Sequence, residues 1–359
     1  MSRNQLRRIN STELFRLSSL EYLDLSRNRL TELTMSRSGQ SVHLNLRKLD
    51  LSHNRISSVK SLWLTGLERL QDLNLANNQI ESLPSRTLFE IGSSLRHLNL
   101  KSNRIVSLEP ECFNDLYVLK ELTLTKNKLS SFPKEVDLQN LEVLELNKNS
   151  FVQIEGLMFN GLPKLKVSTG TNIACKTSNF FQNYSDAPFD SHLIKHEPFN
   201  LQKLRLKRNQ IEFLSDGAFY ISNGQIEEIS LDRNRITNVR KGWLYGLDQL
   251  RYLSLSNNRI DFIASDGWDP LKKLEELDLR SNRLQLLDRE SLCSLPELRF
   301  LYLQDNKISH IDGEEGDDRY CASRTFGDVP LLEELHLDGN EISHTIEVTA
   351  FNVKHITAY

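Results

Sequence analysis

Apolar residues recur along this chain in a fixed unit, Leu-x-x-Leu-x-Leu-x-x-Asn-x-(Leu, Ile or Phe), first complete at Leu20, Leu23, Leu25, Asn28 and Leu30. Twelve copies carry their asparagine at positions 28, 54, 78, 103, 127, 149, 209, 234, 258, 282, 306 and 340. The Leu-x-Leu core alternates with period two, which predicts a short strand with one apolar face. In one copy this points Leu253 and Leu255 inward and Tyr252 and Ser254 to water. Strands this short are not stable alone, so units following one another in the same sense stack and pair in parallel. The chain then turns sharply out of each strand, where an Asn amide both donates to and accepts from backbone groups that the sheet leaves unpaired. Asn28, Asn54 and their equivalents are therefore read as an internal hydrogen-bond ladder.

Successive asparagines are 26, 24, 25, 24 and 22 residues apart, then 60, then 25, 24, 24, 24 and 34. Apart from the steps of 60 and 34, these fall within the roughly 20–29-residue period of leucine-rich repeats. Twelve copies in register predict a right-handed α/β solenoid of about fourteen coils counting partial ones, a curved horseshoe with a parallel sheet on its concave face. Phe113, Phe159, Phe219 and Trp243, about ten residues past an asparagine, fill the convex side. The short stretches between strands favour irregular turns or brief helices there.

Two steps break the period. Only a degraded copy at 165–172 occupies the long gap, so residues 1–172 are assigned to N-terminal repeats, 173–200 to a loop insertion, and 201–359 to C-terminal repeats of one continuous solenoid. The later gap holds an acidic run, GEEGDDR, at 313–319. Cys293 and Cys321 are 28 residues apart, about one coil, which places them within disulfide reach, although spacing alone does not set connectivity. Cys112 and Cys175 pair only if the long loop folds back, and free thiols are the plainer reading. Asn10 and Asn183 head N-x-(Ser/Thr) triplets and are candidate glycosylation sites, Asn183 on the long loop.

Composition narrows the function. Leucine accounts for 63 of 359 residues, as a repeat built on it requires. Lys+Arg 45 against Asp+Glu 48 leaves a net charge of −3, so no global basic field argues for nucleic acid. No stretch approaches the length of a spanning helix. The sequence holds no phosphate-binding glycine loop, nucleophile elbow, paired zinc cysteines or zinc-protease helix motif, so neither catalysis nor a cofactor is expected. His192 and His196 with Cys175 come nearest to a metal set, but the segment has no helix signature, and the acidic run lacks the alternate spacing of a calcium loop; no metal is assigned.

A solenoid instead offers a long concave face, and the alternation assigns its outward residues. Lys203, Arg205 and Lys207 come first, then Tyr252, then Phe300 and Tyr302, then His336. Aromatic anchors in a charged surround are the chemistry of protein-binding hot spots, so these seven residues form the candidate protein-binding face. The first half presents a blander set.

The stretches RNQIEFLSDGAF (208–219), KGWLYGL (241–247), SDGW (265–268), LEELDLRSNRLQLLDRESL (274–292) and LDGNEISHTIEVTAF (337–351) resemble the ectodomain of the leucine-rich repeat and immunoglobulin-like domain transmembrane proteins, the LRIG family. That resemblance implies a cell-surface glycoprotein whose extracellular repeats bind a growth-factor receptor ectodomain and regulate its signalling, in the receptor tyrosine kinase or bone morphogenetic protein pathway. It also implies immunoglobulin-like domains and a membrane span outside this sequence. The chain carries no capping module at either end and reads as a fragment of a longer protein. An adhesive or extracellular-matrix repeat protein is the alternative, and an intracellular scaffold a third.

Overall fold

A computed structural model describes residues 1–9, 17, 19–32, 44–60, 64–109, 111–133, 136, 138, 140–155, 201–219, 225–240, 242–287, 289–292, 294–311, 329–342 and 354–357. Its largest element is a thirteen-stranded sheet. The strands are β1 (Tyr22–Asp24), β2 (Lys48–Asp50), β3 (Asp72–Asn74), β4 (His97–Asn99), β5 (Glu121–Thr123), β6 (Val143–Glu145), β7 (Lys203–Arg205), β8 (Glu228–Ser230), β9 (Tyr252–Ser254), β10 (Glu276–Asp278), β11 (Phe300–Tyr302), β12 (Glu334–His336) and β13 (His355–Thr357). Neighbours pair in parallel and in strict order along the chain, so the central leucines stack Leu23 on Leu49, Leu49 on Leu73, and so on to Leu335 on Ile356. The expected solenoid is observed.

Across the 60-residue step the stack does not break. Strand β6 pairs directly with β7, Leu144 facing Leu204. The asparagine ladder bridges the same join: Asn209 donates to the Leu146 carbonyl at 3.1 Å and accepts from the Phe151 amide at 3.3 Å. Asn258 shows the usual pattern. It donates to the Leu231 carbonyl at 3.0 Å in the preceding coil and to the Leu255 carbonyl at 2.8 Å in its own, while its Oδ1 accepts from the Ile236 amide at 3.1 Å.

The core is leucine on leucine, closed on the convex side by rings. Phe113, Phe219 and Trp268 are fully buried and Trp243 nearly so. Phe159 lies outside the described residues. The Trp268 indole donates to the Ser291 carbonyl at 2.9 Å. Helix among the described residues is confined to two 3-10 turns, Phe89–Ile91 and Arg289–Leu292. Past the asparagine several coils form a second, two-residue strand instead, and Gln153–Ile154 against Phe213–Leu214 again spans the insertion. Gly92 permits a close approach: a Cβ there would meet the Asp115 carbonyl oxygen at 2.2 Å.

The residue before the ladder asparagine occupies the left-handed region on all twelve coils, with φ from 54° to 59° for the eleven between Arg27 and Asp305 and 73° at Gly339. One backbone corner, repeated coil after coil, therefore aims a column of side chains in one direction. Cys112 is a free thiol buried in the core, and burial pushes its pKa up. Cys175, Cys293 and Cys321, the triplets at Asn10 and Asn183, His192 with His196, and the acidic run at 313–319 all lie outside the described residues.

Candidate functional site

Register converts the sequence alternation into rows that run across the strands. The first outward row reads Lys203, Glu228, Tyr252, Glu276, Phe300 and Glu334, and the second Arg205, Ser230, Ser254, Asp278, Tyr302 and His336. A third, two residues further along each coil, holds Lys207, Asp232, Ser256 and Arg280. The structure places all seven residues expected on this face there, and all are half-buried.

The basic end is paired. Arg205 reaches Glu145 at 2.7 Å through Nη1 and Glu228 at 3.2 Å through Nε, and Lys203 reaches the same Glu228 at 3.1 Å. Burial would depress the Arg205 guanidinium, but its bonds to Glu145 and Glu228 outweigh that and raise it. Lys207 makes no ion pair among the described residues, yet its charge bears on Asp232.

The centre of the face corrects the simple in-and-out reading. Ser254, expected to face water, is buried, as are Asp232, Ser256 and Asp278. They lose solvent because register packs them into one polar network. The Asp232 carboxylate accepts from the hydroxyls of Ser230, Ser254 and Ser256, the last at 2.7 Å. Burial alone would raise this carboxyl; the three hydroxyls and Lys207 hold it below the usual carboxylate range. Arg280 grips Asp278 as a fork, donating through Nε at 2.9 Å and Nη2 at 2.7 Å. Glu276 goes the other way: burial, then Asp278, pushes its carboxyl up.

The aromatic end is built on Arg280. Its guanidinium carbon sits 5.1 Å from the Tyr302 ring centre, and Tyr302 stacks on His336 with centroids 5.1 Å apart and planes 19° from parallel. His336 Nδ1 lies 3.0 Å from Thr357 Oγ1, which donates to Asp338 at 2.5 Å. Phe300 carries Arg299 over its ring at 5.9 Å. Tyr252 borders the buried network, and burial pushes its phenol up to about 12. Between the basic and aromatic ends lies an open polar groove of about 740 Å³, walled by Arg205, Asp232, Tyr252 and Arg280 among others.

The face combines paired charges, a buried polar network and stacked rings. The Asp232 carboxylate is fully engaged by the three serine hydroxyls that donate to it. Among the described residues no cluster of His, Cys, Asp and Glu is arranged to hold a metal ion. No helix among them is long and apolar enough to cross a membrane. Arg280, Asp232 and the three serines belong to the face as much as the seven expected residues do. Their identities are visible in the alternation, but their contacts depend on register between coils.

Comparison with known proteins agrees with the architecture. A leucine rich repeat family model matches residues 45–93, 93–136, 199–260, 224–284 and 265–308, and a second such model matches 19–38. Human leucine-rich repeats and immunoglobulin-like domains protein 3 is 34% identical over 235 residues, covering 64% of this chain and 17% of its own length. Toll-like receptor 7 of Drosophila melanogaster is 32% identical over 99 residues, 25% of this chain and 7% of that protein. The chain thus spans less than a fifth of the length of either relative. Two solved structures share the fold. The Toll–Spatzle complex of Drosophila aligns with TM-score 0.69 at 19% identity, over 94% of this chain and 43% of that one. The plant peptide hormone receptor RGFR1 in complex with RGF2 aligns with TM-score 0.58 at 19% identity, over 99% of this chain and 53% of that one.

Proposed function

The chain belongs to the leucine-rich repeat family, and from that premise we propose that its C-terminal concave face binds a protein partner, the ectodomain of a growth-factor receptor, as part of a cell-surface regulator of signalling. The observation that carries the binding reading is the stack of Arg280, Tyr302 and His336 beside the groove. Those side chains are already ordered by contacts with one another, so a partner closing over them loses little rotamer freedom, and Tyr and Arg are residues that anchor protein interfaces. The receptor reading is supported by the human relative, whose name joins the same repeats to immunoglobulin-like domains. Toll and the plant receptor, which share the fold, each hold a ligand in a complex, Spatzle and RGF2.

No step of chemistry is assigned to the face. Its buried acids and hydroxyls hold the groove's shape, and the groove is open, without the water-excluded centre in which preorganised dipoles stabilise a transition state. Binding is tested by measuring the affinity of the chain for immobilised receptor tyrosine kinase and bone morphogenetic protein receptor ectodomains, comparing the unaltered protein with a Tyr252→Ala, Phe300→Ala, Tyr302→Ala variant. Loss of at least about tenfold, roughly 1.4 kcal/mol, is expected for the receptor that binds. Equal affinity of the two proteins would show that the concave aromatics do not form the contact.

A further inference from the structure

A second surface lies on the edge of the same coils, in the left-handed column before the ladder asparagines. On four consecutive coils that position is Lys126, Lys148, Arg208 and Arg233. The amide of each donates to a carbonyl of the next coil, Lys126 to Asn147 at 2.8 Å, Lys148 to Lys207 at 2.8 Å, Arg208 to Asp232 at 2.8 Å and Arg233 to Ser256 at 2.9 Å. The column therefore keeps the strand spacing of about 4.8 Å. Lys101 and Lys207 stand one residue earlier on their coils and widen the ridge to six cations.

Elsewhere the protein neutralises many of its cations: Lys203, Arg205, Arg235, Arg251, Arg280 and Arg299 each have a carboxylate partner. None of the six ridge cations is in a salt bridge among the described residues, although Lys207 acts at longer range on the buried Asp232. Arg208 first, then burial, then Lys126, Lys101 and Arg233, hold the Lys148 ammonium below the usual lysine range. Beyond Arg233 the column changes to Asn257, Ser281 and Asp305, so the positive field ends within the array. Lys101, Lys126, Arg208 and Arg233 are exposed.

We propose that this ridge binds a sulfated polysaccharide, laid across the coils with its anionic groups meeting successive cations. Such a chain supplies regularly repeated charge along one line, as the column does. No column position from Lys126 to Arg233 is aromatic, and Lys126, Lys148 and Arg208 do not line the groove that Tyr252 walls; that decides the class. A single-stranded nucleic acid binds by stacking its bases on rings, and a protein partner seeks buried aromatic anchors; the ridge offers only charge. Because the whole chain carries a net charge of −3, attachment to a polyanion must come from a local cluster such as this one.

Retention of the full chain on immobilised heparin, with salt elution, tests the proposal. The unaltered protein should stay bound at about 0.15 M salt. A Lys126→Gln, Lys148→Gln, Arg208→Gln variant should elute much earlier, with the slope of log affinity against log salt reduced by about three, one per cation removed. A variant with the same charge change at exposed positions scattered over separate parts of the array, Lys60→Gln, Arg240→Gln and Lys272→Gln, should elute like the parent, and all three proteins should share one circular-dichroism spectrum. Failure of the parent to bind, or equal loss in both variants, would overturn the ridge as a site. Competition by polyglutamate or by a single-stranded oligonucleotide as effective as that by free heparin would overturn the polysaccharide as its ligand.

Discussion

Asp232 is an acid whose stability contribution depends on three neighbours. The hydroxyls of Ser230, Ser254 and Ser256 all donate to it, and its folded pKa is lowered from an unfolded value of about 3.9. Its contribution is therefore fully present above about pH 4 and is lost as pH falls toward the folded value. Thermal melts of the parent protein should lose stability below about pH 4, and Asp232→Asn, less stable at neutral pH, should show a shallower acid decline. None of this is legible in the sequence. Nothing local separates Asp232 from a solvated acid, and only register brings Ser254 and Ser256 of the next coil onto it. Asn258 is the opposite case. Its amide satisfies the Leu231 and Leu255 carbonyls and the Ile236 amide, and the repeat itself reveals that role by putting Asn at the one corner where backbone groups lack partners.

At the scale of elements, the strands follow from Leu-x-Leu alone and their parallel order from the direction of repetition. The convex side is legible only as composition. The pattern puts Phe113 and Trp243 in the core, where they lie, but two-residue strands in place of a helix reflect how few residues each coil has for its return. Close approach of turns leaves no mark in the pattern. Gly92, which follows the 3-10 turn Phe89–Ile91, packs against the backbone at Asp115 with no space for a methyl group. Gly92→Ala should push these neighbouring turns apart at a cost of about 1–3 kcal/mol, seen as a lower melting temperature and faster hydrogen exchange in residues 111–119.

For the molecule as a whole, stability is a sum of coils and of the joins between them, since each coil touches only its neighbours. The join between β6 and β7 is the one across which the chain makes its longest departure, between Asn149 and Asn209, and then returns in register. Leu204 is fully buried there against Leu144. Leu204→Ala should cost about 2–5 kcal/mol and split urea unfolding of the array into two transitions, one for each half, where the parent shows one. A single transition in both proteins would show that the halves are coupled by more than this join. The length of the insertion is plain from the spacing of the asparagines, whereas the continuity of the sheet across it is a matter of which strands pair.

The thiol of Cys112 gives these coils a clock. Its sulfur is sealed inside the first half of the array and held in the unreactive protonated form, so an alkylating reagent meets it only when the surrounding turns come apart. The rate at which that one atom is labelled in native buffer times the opening of the coils around it, without any substitution in the chain.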